Sequence, residues 1–140
     1  MPPERPAARW RRLAAADLRA AELLLHASPP PVPYHLVCFL AQQGAEKLLK
    51  GWLVARGAAA PRTHDLEKLV RRAMTTEPAF EGLRAVAARL TDFAVTPRYP
   101  GEAPDPGPSE ASLALERAGA IRDFIDRLTP SPPEHGLPLG

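Results

Sequence analysis

Eighteen prolines divide this chain, and their positions limit where regular structure can form. Proline inside a helix removes a hydrogen bond and clashes with the preceding turn, so long helices must fall between prolines. Five proline-free windows remain, each long enough for a helix: 7–28, 34–60, 62–77, 79–96 and 109–129. The proline positions therefore predict up to five helices with short connections.

Apolar residues within these windows recur at intervals of three and four, the spacing of one face of an α-helix. The second window has the clearest pattern: Tyr34, Cys38, Ala41, Ala45, Leu48, Trp52 and Ala55. Other leucines make much of its remaining circumference apolar, which is typical of a central helix. No alternating β-branched run outweighs these patterns. We expect an all-α fold, an antiparallel up-and-down bundle of four to five helices over residues 7–129.

Length and composition narrow the class of protein further. At 140 residues, with a net charge of +2, the chain fits one domain and is not identified as a nucleic-acid-binding protein by composition alone. A single cysteine, Cys38, excludes an internal disulfide and a cysteine-based zinc site. No run reaches the roughly 18 apolar residues that a membrane span needs. We expect a cytoplasmic protein without a targeting or membrane segment, ending in a proline-rich flexible tail at 130–140.

Several catalytic motifs are missing from the sequence. There is no glycine-rich phosphate loop, and no Gly-Ser followed by the paired aspartates with which nucleotidyltransferases hold metal. The four histidines never lie four apart on one helix, so no local two-histidine metal clamp is encoded. We expect no metal and no cofactor.

Asp17 interrupts the apolar face of the first helix, among residues such as Leu13 and Ala21. A carboxylate in this position needs a partner, because an unpaired buried charge costs several kcal/mol. We interpret Asp17 as a structural residue that pairs with another helix; a catalytic role is the alternative.

Polar residues form two strips on the second helix. One strip holds Gln43, Lys47 and Lys50, and the other holds Gln42 and Glu46. The simple interpretation is an ordinary surface ion pair between Glu46 and Lys50. The alternative is a polar site, or the polar part of a subunit contact.

Two further segments combine polar groups at helix ends. Thr63, His64 and Asp65 begin the third helix, where Thr63 is placed as an N-cap and where free amides attract anions. One interpretation is that Thr63 and Asp65 only cap this helix end. The alternative is that the helix end binds an anion with the help of His64. Arg98 and Tyr99 follow the fourth helix, where they suit a phosphate and a stacked base, or where Arg98 bonds helix carbonyls.

These segments together resemble the HEPN domain family, from about Ala7 to Leu128. The motifs that carry the resemblance are Asp17-Leu18 with Ala21, Gln42-Gln43-x-x-Glu46-Lys47-x-x-Lys50, Thr63-His64-Asp65-Leu66-x-x-Leu69 and Arg98-Tyr99-Pro100. The resemblance implies a helical bundle, usually a homodimer, that is frequently encoded beside a minimal nucleotidyltransferase in prokaryotic toxin-antitoxin-like pairs. Some members bind nucleotides, and others are metal-independent ribonucleases.

The ribonuclease branch carries an Arg followed, after four to six residues, by a His late in the bundle. This chain departs from that pattern, because no histidine follows Arg98 until His135 in the tail. The spacing from Arg19 to His26 in the first helix is expected by chance. A ribonuclease would have to use His64 from another helix.

We therefore expect a non-catalytic, dimeric partner protein, which the resemblance pairs with a nucleotidyltransferase. Nucleotide or phosphate would contact Gln43, Lys47, Lys50, His64, Arg98 and Tyr99. Asp17, Glu46, Thr63 and Asp65 would be structural polar residues. The rival hypothesis is an RNA-cleaving toxin, and a third is an inert dimer without a ligand.

Overall fold

Five α-helices and one 3-10 helix make up the described part of the chain, which in this computed structural model comprises residues 2–91 and 105–128. The α-helices are α1 (Pro6–Leu25), α2 (Tyr34–Ala55), α3 (Leu66–Met74), α4 (Arg84–Thr91) and α5 (Pro108–Leu128), and the 3-10 helix is Pro78–Leu83. Within these residues there is no strand. The predicted all-α bundle is confirmed.

The fourth predicted helix is two elements rather than one. A 3-10 helix covers its first half, and the α-helix begins only at Arg84. In a 3-10 helix, side chains three apart lie on the same side. This winding places Phe80 and Leu83 together in the core, where both are buried.

α2 is the central helix, as its apolar circumference predicted. It contacts α1, α3 and α5. The ring of Trp52 lies 4.7 Å from that of Phe80, which lies 4.8 Å from that of Phe124 on α5, both in edge-to-face geometry. Such aromatic pairs contribute about 0.5–1.5 kcal/mol each beyond area burial. They join α2, the 3-10 helix and α5 into one core.

Two glycines let α1 approach α2 closely. A Cβ placed on Gly44 would lie 2.6 Å from Leu18 Cδ2, and one on Gly51 would lie 2.9 Å from Trp10 Cβ. Gly51 comes after Gly44 in α2, but it packs against Trp10, which comes before Leu18 in α1. The two helices are therefore antiparallel. Their close approach brings polar side chains of α1 within reach of α2.

α2 ends and α3 begins through defined backbone geometry. Gly57, at φ +92°, donates to the Val54 carbonyl, and Ala58 donates to the Leu53 carbonyl, which is a Schellman ending. The prediction that Thr63 is the N-cap of α3 is wrong. Asp65 is the N-cap, because its carboxylate is near enough to accept from the Lys68 amide at 3.2 Å.

In the described part of the chain, no helix has the length and apolar character to cross a membrane.

Candidate functional site

A group of polar side chains lies on the otherwise apolar α2. Gln42, Glu46 and Lys50 are only 0%, 5% and 7% exposed, and His64 from the loop before α3 contacts Gln42 and Glu46. We call these four residues the α2 polar cluster. Buried polar groups of this kind are costly unless they bond to one another.

Glu46 is the centre of the α2 polar cluster. Lys50 Nζ donates to its Oε2 at 2.9 Å, and His64 Nδ1 lies 3.0 Å from its Oε1. The Glu46–Lys50 pair therefore forms, but the expectation that it is an ordinary surface pair is wrong. His64 of the loop before α3 contacts Glu46, and Trp10 of α1 lies beside Lys50, so these two segments cover the pair.

Gln42 was not among the predicted site residues, yet it connects the cluster. Its Nε2 donates to the His64 carbonyl oxygen at 3.0 Å and lies 3.4 Å from Glu46 Oε1. Gln43 Nε2 donates in turn to Gln42 Oε1 at 2.9 Å. The available signal was the spacing of Gln42 and Glu46, one helical turn apart on an apolar helix.

His64 combines a fixed ring with an exposed edge. Its side chain is 67% exposed, while its Nδ1 is held by the buried Glu46 carboxylate. Because a carboxylate only accepts hydrogen bonds, Nδ1 carries the proton of this contact. Nε2 makes no hydrogen bond to any described residue, so it is available to a ligand.

Asp17 forms an ion pair with Lys47 of α2. The two side chains are 21% and 22% exposed, so the pair is half-buried at the junction of α1 and α2. The interior position of Asp17 on α1 thus has a cationic partner on another helix. The same contact compensates the positive charge of Lys47.

The start of α3 has few free amides for an anion. The Asp65 amide donates to Thr63 Oγ1 at 3.1 Å, and the Leu66 amide donates to Thr91 Oγ1 at 3.0 Å. The Lys68 amide is occupied by Asp65, as described above. Thr63 and Asp65 thus serve the helix end itself, and a phosphate would have to displace them.

The predicted site residues divide into three groups. Lys50 and His64 meet through Glu46, and Gln43 joins them through Gln42. Lys47 lies one turn along α2 from Gln43 and bonds to Asp17 instead. Arg98 and Tyr99 lie outside the described residues, as does the predicted tail at 130–140.

Trp10 of α1 borders the cluster, since Lys50 Nζ lies 5.8 Å from the centre of its ring. A cation over an aromatic face is stabilised by the ring quadrupole. Among residues 2–91 and 105–128, no three histidine, cysteine or acidic side chains are grouped so that they could hold a metal ion.

Apolar side chains continue the strip that holds Gln43 and Lys47. Leu36 and Phe39, at helical spacing from Gln43, are 36% and 39% exposed. We call Leu36, Phe39, Gln43 and Lys47 the α2 strip. It is the part of the central helix on which apolar surface meets solvent.

The chain is similar to known proteins over most of its length. The sequence profile of the family described as HEPN domain matches residues 7–128. TT1696 from Thermus thermophilus is 30% identical, with a TM-score of 0.69 over 86% of this chain and 96% of that one. ST0689, an archaeal HEPN homologue, is 26% identical, with a TM-score of 0.67 over 89% and 98%. No curated protein matches the sequence.

Proposed function

This chain belongs to the HEPN domain family, and on that premise we propose that it is a non-catalytic module that binds a nucleotide or another phosphate-bearing ligand beside the α2 polar cluster. Membership supports a function of the HEPN type, which is nucleotide binding or RNA cleavage. The choice between the two depends on the chemistry of the residues around His64.

The observation that carries the proposal is the exposed, anchored ring of His64. Nε2 of His64 forms no hydrogen bond with a described residue, and Glu46 fixes the orientation of the ring. Glu46 itself is buried and bonded to Lys50, so its negative charge is compensated before an anion arrives. When His64 carries a proton on both ring nitrogens, a phosphate oxygen can accept from Nε2 with little repulsion.

Other cationic and polar groups have different roles in this proposal. Lys47 is partly exposed and can share its ammonium between Asp17 and a phosphate. Lys50 is nearly covered, so it acts through Glu46 rather than by direct contact. Gln43 adds an amide at the edge of the cluster. Arg98 and Tyr99 contribute a forked cation and an aromatic face, as their sequence after α4 suggests.

The α2 strip supports a homodimer in our proposal. Exposed apolar side chains on the most buried helix of the bundle leave a surface that association would cover. A second copy is a self-complementary occupant, since apolar residues would meet apolar residues across a two-fold axis. Gln43 and Lys47 would then form the polar part of the contact.

A nucleotidyltransferase is the partner protein that we propose. The chain lacks the Gly-Ser and paired-aspartate motif of such an enzyme, and the genes of the HEPN family are frequently encoded beside one that has it. Reading the adjacent frames for that motif, followed by co-purification of the two products, tests this part. An unrelated neighbour and no co-purification would contradict it.

Calorimetric titration with ATP, without metal, tests the ligand-binding proposal. We expect His64→Gln to weaken ATP binding at least about tenfold, because a charge-assisted hydrogen bond is lost. His26→Gln is the matched control, since His26 is also an exposed histidine bonded to a glutamate, Glu22. Equal affinity of wild type and His64→Gln, or no binding of ATP, AMP or inorganic phosphate, would contradict the proposal.

The contact between Glu46 and His64 favours a second candidate, a metal-independent ribonuclease. A carboxylate that orients an imidazole through Nδ1 leaves Nε2 placed for proton transfer. Incubation with bulk RNA and EDTA separates the candidates. Cleavage that His64→Gln abolishes would establish the ribonuclease and refute the non-catalytic function, whereas intact RNA with retained ATP binding supports our first choice.

A further inference from the structure

Five arginines gather where α1 begins and α2 ends. Gly51 packs against Ala7 and Trp10, so the first turns of α1 lie beside the last turns of α2. All five arginine side chains are exposed. We call this group the arginine end: Arg5, Arg9, Arg11, Arg12 and Arg56.

The charge of the arginine end is largely uncompensated. Glu4 is the sole acidic residue from position 2 to 16, and none occurs from 47 to 64. Arg12 binds Glu4 through two hydrogen bonds of 3.0 Å. The other four arginines form no ion pair with a described residue. The whole chain has a net charge of only +2, so the remainder of the protein is net negative.

The arrangement of these arginines is linear along α1. Positions 5, 9 and 12 share one side of the helix and extend about 10 Å along its axis. Exposed arginines in a row fit a ligand that repeats a negative charge along its length. A compact anion would engage one or two of them.

The aromatic rings nearby are already occupied. The guanidinium of Arg56 lies 4.5 Å from the centre of the Trp52 ring, and Trp52 is only 4% exposed. The Trp10 ring has Lys50 over it. Because Trp52 is buried and Lys50 lies over the Trp10 ring, this region presents mainly arginines, which suits a phosphate backbone rather than base recognition.

We propose that the arginine end binds the phosphodiester backbone of a nucleic acid without sequence preference. The forked guanidinium matches phosphate oxygens, and neutralised phosphates release counterions that drive binding. This surface does not include His64 or Lys47. The inference therefore stands or fails independently of nucleotide binding at the α2 polar cluster.

Fluorescence anisotropy with a labelled single-stranded RNA of mixed sequence tests this inference. The variant is Arg5→Gln/Arg9→Gln/Arg56→Gln, which removes three arginines that form no ion pair with a described residue. The control is Arg72→Gln/Arg89→Gln/Arg127→Gln, which removes the same charge from three exposed arginines elsewhere that have no ion pair with a described residue. We expect the first variant to lose at least about tenfold in affinity, and the control to lose less than about threefold.

Salt dependence gives a second readout. Each phosphate neutralised on a single strand contributes about −0.7 to the slope of log K against log salt. The arginine-end variant should lower the magnitude of this slope by about 2, because three phosphate contacts are lost. A second RNA of unrelated sequence should bind equally well.

Three outcomes would overturn the inference. The first is that wild type does not bind RNA even at about 50 mM salt. The second is that both triple variants lose the same RNA affinity. The third is that wild type binds polyglutamate of matched charge as tightly as it binds RNA. The last would indicate an acidic protein partner. ATP titration of the arginine-end variant, together with its melting temperature, separates failure of this inference from failure of the fold or of the nucleotide site.

Discussion

The Nδ1 atom of His64 lies 3.0 Å from Oε1 of Glu46, although the two residues are 18 positions apart in the chain. The contact ties the loop before α3 to the middle of α2. It also links a solvent-exposed ring to a buried carboxylate that Lys50 balances. A change at either end of this relationship should affect both stability and ligand binding, and the two effects can be measured separately.

We expect Glu46→Gln to destabilise the fold by about 3 kcal/mol, because it leaves the buried Lys50 ammonium without a counterion. The double variant Glu46→Gln/Lys50→Met should recover most of this loss, since it removes the orphaned charge. Urea unfolding at one fixed protein concentration measures both.

Glu81→Gln is the matched control for this prediction. Glu81 also pairs within one turn, with Arg84, but its side chain is 61% exposed. We expect this control to cost less than about 1 kcal/mol. A similar small cost for Glu46→Gln would show that the buried pair does not support the fold as argued.

Gly51→Ala should destabilise the α1–α2 packing by about 1–3 kcal/mol. The added methyl group would lie 2.9 Å from Trp10 Cβ, an atom next to the α1 backbone that cannot move by rotation of a flexible side chain. The cost of this clash exceeds the roughly 1 kcal/mol of helix propensity by which alanine is favoured over glycine. Gly82→Ala, which meets nothing within 4 Å, is the control. Thermal unfolding measures both variants, and we expect the lower melting temperature for Gly51→Ala. Equal melting temperatures would refute close packing at Gly51.

Phe39→Ser should weaken the proposed homodimer at least about tenfold, because each copy contributes one such ring to the covered surface. Leu113→Ser is the control, since Leu113 is an equally exposed apolar residue, at 43%, on α5. Sedimentation equilibrium measures the dimerisation constant of all three proteins. A monomeric wild type, or equal weakening by Leu113→Ser, would argue against association through the α2 strip.

Glu110 should make the stability of α5 sensitive to acid. The backbone amide of Gly107 donates to its carboxylate at 2.8 Å and holds the pKa of Glu110 below its ordinary value of 4.5. A pKa that is lowered in the folded state gives stability that is complete above 4.5 and is lost as pH falls through the folded value.

The measurement is the difference in melting temperature between wild type and Glu110→Gln. It should favour wild type at neutral pH and shrink in acid, because protonated Glu110 resembles glutamine. A difference that stays constant from neutral pH into the acid range would contradict the predicted linkage.

Helix positions and the family motifs were readable from residue spacing, whereas the partners of the polar residues were not. The pattern from Tyr34 to Ala55 predicted a central helix, and α2 has those bounds. The order of polar motifs predicted the family. Yet Asp17 and Lys47 are 30 positions apart, and nothing in either segment specifies the other as its partner.

Local capping was predicted only in part. Thr63 was predicted as the N-cap of α3, but Asp65 also has a side chain that can accept from a backbone amide, and residue type alone does not separate the two. The Leu66 amide donates to Thr91 of α4 rather than to Thr63, and the Gln42 side chain of α2 holds the loop by donating to the His64 carbonyl oxygen. Both are products of the folded arrangement.

The sequence by itself determined most helix positions and their apolar faces, because periodicity of side chains is a property of each segment alone, and its motifs carried the resemblance to the family. Only the tertiary structure decided that Glu46 and Lys50 are buried and that Glu46 meets His64. Burial depends on which element covers a helix face, and the close α1–α2 approach and the path of the loop before α3 set that coverage. Neither the α1–α2 approach nor the path of this loop can be read from the sequence of α2 alone.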